Sequence, residues 1–164
     1  MFTARQGISI AVAVLGLAIV PASASAVSVP STVSGTVATE LSLSIATPAA
    51  MNLTHATPGS SSSVVTVTST NPTWTLSIVD TNGGTSASPG HMNKVGSSSV
   101  FLQDPLQWSS NGGSTWNNLS GTAATVGTGT LVGTKTVNYQ QSLGASEGVT
   151  SGDSYTISVT YTAT

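Results

Sequence analysis

From Val27 onward, apolar side chains alternate with Thr and Ser in several separate runs, the period-2 pattern of strands with one buried and one wetted face. Val33, Val37, Leu41, Leu43 and Ile45 share one parity, and Val65 and Val67 alternate with Thr66 and Thr68. After Asn71-Pro72, Trp74, Leu76 and Ile78 point one way while Thr73, Thr75 and Ser77 point the other. Leu131, Val137 and Tyr139 align, and Tyr155, Ile157, Val159, Tyr161 and Ala163 form the longest alternation. Thr suits the outer face because its branched Cβ favours extended backbone while its hydroxyl meets water. The pattern predicts seven or eight strands, near 32–46, 64–70, 73–80, 99–108, 115–120, 130–141 and 154–163.

Turn residues fall between these runs: Thr57-Pro58-Gly59, Asn82-Gly83-Gly84, Ser88-Pro89-Gly90, Asn111-Gly112-Gly113 and Glu147-Gly148. No stretch after residue 26 carries a helical apolar period, so the helical crossovers that parallel strands need are missing and the pairing is expected to be antiparallel. The expected fold is all-β, a two-sheet sandwich of immunoglobulin-like or jelly-roll topology filling residues 27–164 as one domain.

The amino terminus departs from this pattern. Arg5 precedes a 13-residue apolar run, Ile8 to Val20, shorter than the roughly 20 residues that span a bilayer. Pro21 and the small residues Ala22-Ser23-Ala24-Ser25-Ala26 follow, the layout of a cleavable signal peptide over residues 1–26. The product is therefore expected to be secreted, extracellular or wall-associated, with no membrane span after cleavage. Charge narrows the partners. Beyond residue 26 the basic groups are Lys94 and Lys135, too few and too scattered for nucleic acid, and the chain has no cysteine for disulfides, thiolate metal sites or nucleophilic thiols.

Candidate chemistry is thin. Gly144-Ala145-Ser146-Glu147-Gly148 matches the G-x-S-x-G pattern, but a nucleophile elbow needs a strand-turn-helix and this segment reads as a polar loop. His55 and His91 lie in separate loops without a visible third ligand or a catalytic partner. Glu40, Asp80, Asp104, Glu147 and Asp153 sit singly beside turns or strand ends, and a glycosidase would need two of them across one groove. Asp80-Thr81-Asn82-Gly83-Gly84 begins like a calcium loop but has His91 where the bidentate acid belongs. No catalytic residue, metal site or cofactor is expected.

Aromatic residues are more informative. With Asn111-Gly112-Gly113 as a three-residue hairpin loop, Trp108 falls opposite Trp116, either as a cross-strand clamp or as a stacked platform for sugar rings. Asn71-Pro72-Thr73-Trp74-Thr75-Leu76-Ser77-Ile78-Val79-Asp80 resembles the first signature of the WxL-domain surface proteins of Gram-positive bacteria. Tyr155-Thr156-Ile157-Ser158-Val159-Thr160-Tyr161-Thr162-Ala163-Thr164 is similar to their second signature, with Tyr161-Thr162-Ala163 where Trp-x-Leu would stand. The resemblance implies a secreted β-rich protein held non-covalently on peptidoglycan or another cell-envelope glycan, with Trp74, Leu76, Tyr155 and Tyr161 in the binding region. Plain core packing of Trp74 and Leu76 is the alternative.

A rival reading is a fibre or matrix subunit that binds copies of itself. Val27-Ser28-Val29-Pro30-Ser31-Thr32-Val33 is extended and polar enough to join a neighbour's sheet, and the strands lack the charges that normally protect open edges. A carbohydrate-binding module using Trp108 and Trp116 is the third.

Overall fold

The computed structural model describes residues 34–81 and 88–164; the expected signal peptide, the 27–33 segment and Asn82 lie outside the described residues. Among the described residues there is no helix, and all sheet pairing is antiparallel. The strands are β1 Leu41–Ile45, β2 Gly59–Ser69, β3 Trp74–Asp80, β4 Asn93–Lys94, β5 Gln107–Ser109, β6 Asn117–Asn118, β7 Ala124–Gly129, β8 Gly133–Gln141, β9 Tyr155–Thr156 and β10 Val159–Ala163. They form one sheet in the order β1-β2-β8-β5-β6, a second in the order β10-β3-β7, and a two-stranded piece, β4-β9. Thr36–Thr164 make one compact unit.

The period-2 reading holds where strands have neighbours on both sides. On β3, Trp74, Leu76 and Ile78 are buried while Thr75, Ser77 and Val79 are half-buried. Val65 and Val67 on β2 and Val137 and Tyr139 on β8 face the same core, joined by Trp108, Leu106, Val126 and Tyr161. That core draws on both larger sheets, an arrangement consistent with a β-sandwich.

Differences arise where a ladder loses its partner. The strand expected from residue 32 begins at Leu41, because its partner β2 stops at Ser69 before Asn71-Pro72, and Val37 is left 85% exposed. The strand expected over 99–108 shrinks to β5 and one bridge between Phe101 and Asn93, since Pro105 has no N–H for a ladder. The continuous strand over 154–163 is split: β9 pairs with β4, then β10 pairs with β3 from Val159↔Asp80 to Ala163↔Leu76. The two segments that carry the WxL resemblance thus meet as hydrogen-bonded neighbours in part. Leu131, expected to align with Val137, occupies the turn after β7 with φ of 49° and is exposed.

β7 was not legible in the sequence. Its small residues pair with β3 through a bulge that tucks Val126 into the core. The Trp74 ring needs glycine at the end of β7 and at the start of β8: a Cβ on Gly129 would lie 2.1 Å from that ring and one on Gly133 2.6 Å. The indole N–H donates to the Leu131 carbonyl at 3.1 Å, fixing the β7–β8 turn over its edge.

Candidate functional site

A recess of about 930 Å³ opens beside the outer strand β10 and the end of β1 at Ile45. On the β1 side, Ile45 leads into residues 46–53, pinned across β2 by two hydroxyls. Ser61 Oγ donates to the Ala49 carbonyl at 2.7 Å and Ser63 Oγ to the Ala46 carbonyl at 2.6 Å. On the β10 side, Val159, Ile157 and Tyr155 line the wall. Met51, Met92 and Leu143 supply further apolar surface.

Tyr139 from β8 and Tyr161 from β10 both line this groove and share a hydrogen bond between their hydroxyls. Burial pushes both phenols above the ordinary tyrosine range; for Tyr161 the hydrogen bond from its partner adds to the effect, and for Tyr139 it opposes it. The charged side chain at the rim is Asp153. Its carboxylate accepts from Lys94 Nζ at 2.8 Å and from the Thr150 N–H at 3.2 Å, which fixes residues 150–153. The Lys94 bond holds Asp153 below the usual carboxylate range, with the Thr150 N–H contributing, and the same bond raises Lys94.

Hydrogen-bond parity shows where the free backbone points. Ala46 N–H donates to Val64 O and Thr70 N–H to Glu40 O, so even residues of β1 bond toward β2. The N–H and C=O groups of Leu41, Leu43 and Ile45 therefore face outward. Thr164 and Thr75 exchange both bonds, at 3.0 and 2.8 Å, so even residues of β10 bond toward β3. Val159, Tyr161 and Ala163 turn their backbone groups to the open side. Among the described residues no strand pairs with either outer edge. The resulting site is a trough of mixed apolar and hydroxyl-bearing side chains, with Asp153 engaged by Lys94 and free backbone donors and acceptors along its β10 side, suited to an extended peptide.

The residues singled out by sequence separate. Trp74 is 2% and Leu76 0% exposed, so both are core side chains without access to a ligand. Tyr155 and Tyr161 come together at the groove. Trp108 and Trp116 do not form the expected pair. The β5–β6 register sets Trp108 against Asn117 and Gln107 against Asn118, one residue away from expectation. The cause is the longer connecting loop, tied by Ser109 Oγ to Asn111 Oδ1 at 2.7 Å and by Asn111 Oδ1 to the Thr115 N–H at 3.0 Å. A one-residue slip moves a side chain to the other face. Trp108 is buried, while Trp116 is half-buried against Gly113 beside a second recess of about 380 Å³ lined by Ser60, Ser62 and Asn138.

Of the catalytic candidates Asp153 lines the groove, where Lys94 engages it, while Glu147, His91 and Asp80 do not line it. Glu147 of the G-x-S-x-G segment caps its own loop, accepting from the Gln103 N–H at 2.7 Å and the Gly144 N–H at 3.0 Å. His91 donates through Nδ1 to the Leu102 carbonyl at 2.7 Å. Asp80 is buried and takes the Gly90 N–H at 2.7 Å, and no group of three metal-ligating side chains occurs among the described residues. Sequence reasoning missed Met51, Leu143 and Tyr139 as groove residues: Met51 and Leu143 lie outside strands, where no periodicity gives a direction, and alternation showed Tyr139 only as an inward residue of β8. Comparison with known protein families, with characterised proteins and with solved structures returns no match to this chain.

Proposed function

We propose that this is an exported, non-catalytic two-sheet sandwich of the cell surface, of immunoglobulin-like or jelly-roll kind, that assembles into an extracellular fibre or matrix by accepting a β-strand between β1 and β10. One observation carries the reading: the unpaired edge of β10 borders a trough that the end of β1 at Ile45 also reaches. Backbone hydrogen bonds would supply affinity there, and the pockets for alternate side chains would supply selectivity. Burial of Trp74 and Leu76 weighs against direct wall contact through those residues, which the WxL resemblance would require. The test is size-exclusion of the purified chain beginning at Val27, followed by electrophoresis with and without heating. Multimers that become heat-sensitive ladders support strand exchange; a stable monomer at all concentrations refutes it.

Trp116 supports a second reading, attachment to peptidoglycan or another envelope glycan. A half-buried indole beside Ser60, Ser62 and Asn138 combines a stacking face with hydroxyl and amide partners. Retention on purified cell wall that disappears in Trp116→Ala, with monomeric elution, favours this reading over assembly.

A further inference from the structure

We infer that the strand received by the groove is residues 27–33 of a second copy, added to the outer edge of β10; this rests on the strand-accepting reading above. The match begins with side-chain parity. Val27, Val29, Ser31 and Val33 share one face of an extended segment, and Ser28, Pro30 and Thr32 the other. On β10 the residues whose backbone is free, Val159, Tyr161 and Ala163, are also those whose side chains turn inward. Residues directly opposite in an antiparallel pair place their side chains on one face, so the valines would enter the apolar trough together with Val159 and Tyr161.

Backbone chemistry agrees with that register. Neighbouring residues of a strand send their N–H and C=O groups to opposite sides, so the odd residues of the segment bond to β10. Pro30, which has no N–H, is then on the parity that faces away from β10, where a proline is tolerated. Seven residues span about 23 Å and the five of β10 about 17 Å, so the segment covers the whole edge. Neither surface carries a charged side chain that would have to be buried, Asp153 being engaged at the rim by Lys94, and the α-amino group of Val27 falls at the end of a segment longer than β10.

The tether explains why the occupant is a second copy. Residues 34–40, which join the segment to β1, are all exposed. Glu40 is the one among them tied to its own sandwich, through Thr70. A tether that is solvated and held only at Glu40 would leave the segment able to reach a neighbour's trough. Each copy would then give one strand and receive one, a head-to-tail contact that propagates as a filament where the rotation between copies does not close a ring.

The chain has no native cysteine, which permits a clean cross-linking test. Single-cysteine versions of the chain beginning at Val27, Val29→Cys on one side and Val159→Cys or Ala163→Cys on the other, are mixed under oxidising conditions. A third acceptor, Val132→Cys, sits on an exposed turn and serves as the control. The expected result is at least about tenfold more mixed disulfide with position 159 or 163 than with 132, because a docked pair reacts at a far higher effective concentration. Val29→Asp should abolish the multimers by placing a charge in the trough. If neither 159 nor 163 exceeds the control while multimers persist in Val29→Asp, the occupant is wrong and the assembly reading survives. If a double variant with cysteines at 29 and 159 closes only within monomers, the segment fills its own groove and the second copy is refuted. If the unaltered chain never forms multimers, both readings fall together.

Discussion

Tyr161→Phe removes one hydroxyl of a buried pair and leaves the other, on Tyr139, without its partner. A buried polar group stranded in this way costs about 1–3 kcal/mol, whereas removing both hydroxyls leaves nothing unsatisfied. Urea denaturation should therefore show Tyr161→Phe clearly destabilised and Tyr139→Phe/Tyr161→Phe close to the parent. Each phenol ionises above its ordinary range in the folded state. The stability this represents is present below about pH 10, the unfolded value, and is lost as the pH rises toward the higher folded values. Ultraviolet titration should find these two tyrosines protonated until unfolding releases them. The positions of both aromatics on alternating strands were legible in sequence, but their contact was not: they lie 22 residues apart on different sheets.

At the level of the element, Trp74 and β7 define one another. The indole fills a slot made by Gly129 at the end of β7 and Gly133 at the start of β8, and both are glycine because the ring occupies the space a Cβ would take. Gly129→Ala is expected to destabilise by about 1–3 kcal/mol through overpacking. Combining it with Trp74→Leu, which empties the slot, should give less than the sum of the single effects in a double-mutant cycle. Alternation revealed β3 at once because each of its faces has a single environment. It could not reveal β7, whose one large apolar residue, Val126, sits at a bulge. The Trp108–Trp116 pair failed for a related reason: Ser109 and Asn111 hydrogen bonds lengthen the loop, and register follows loop length.

Across the whole molecule, the scarcity of charge makes the Lys94–Asp153 pair the main electrostatic tie at the groove. Asp153 has a depressed folded value, so its contribution is present above about pH 4 and is lost as the pH falls through that lower value. Lys94 is raised, so its contribution is complete below about pH 10 and is lost as the pH rises further. Asp153→Asn should flatten the acid limb of a plot of melting temperature against pH. Assembly through a trough whose charged side chain, Asp153, is already engaged by Lys94 should in turn depend little on salt, because there are few ionic contacts to screen. Light scattering across a salt series checks this, and a steep loss of multimers with rising salt would point to a different interface.

The amino-acid sequence by itself determined the all-β class, the inward faces of β2, β3, β8 and β10 and the poverty of ionisable chemistry, because alternation and composition are local properties of the chain. Only the tertiary structure decided which strands end a sheet, where Trp108 and Trp116 point and which residues border the groove. Those outcomes depend on pairing between residues distant in sequence, and on loop hydrogen bonds that shift register by a single position. A trough between two sheet edges has no sequence pattern of its own; it exists only once both sheets are laid against each other.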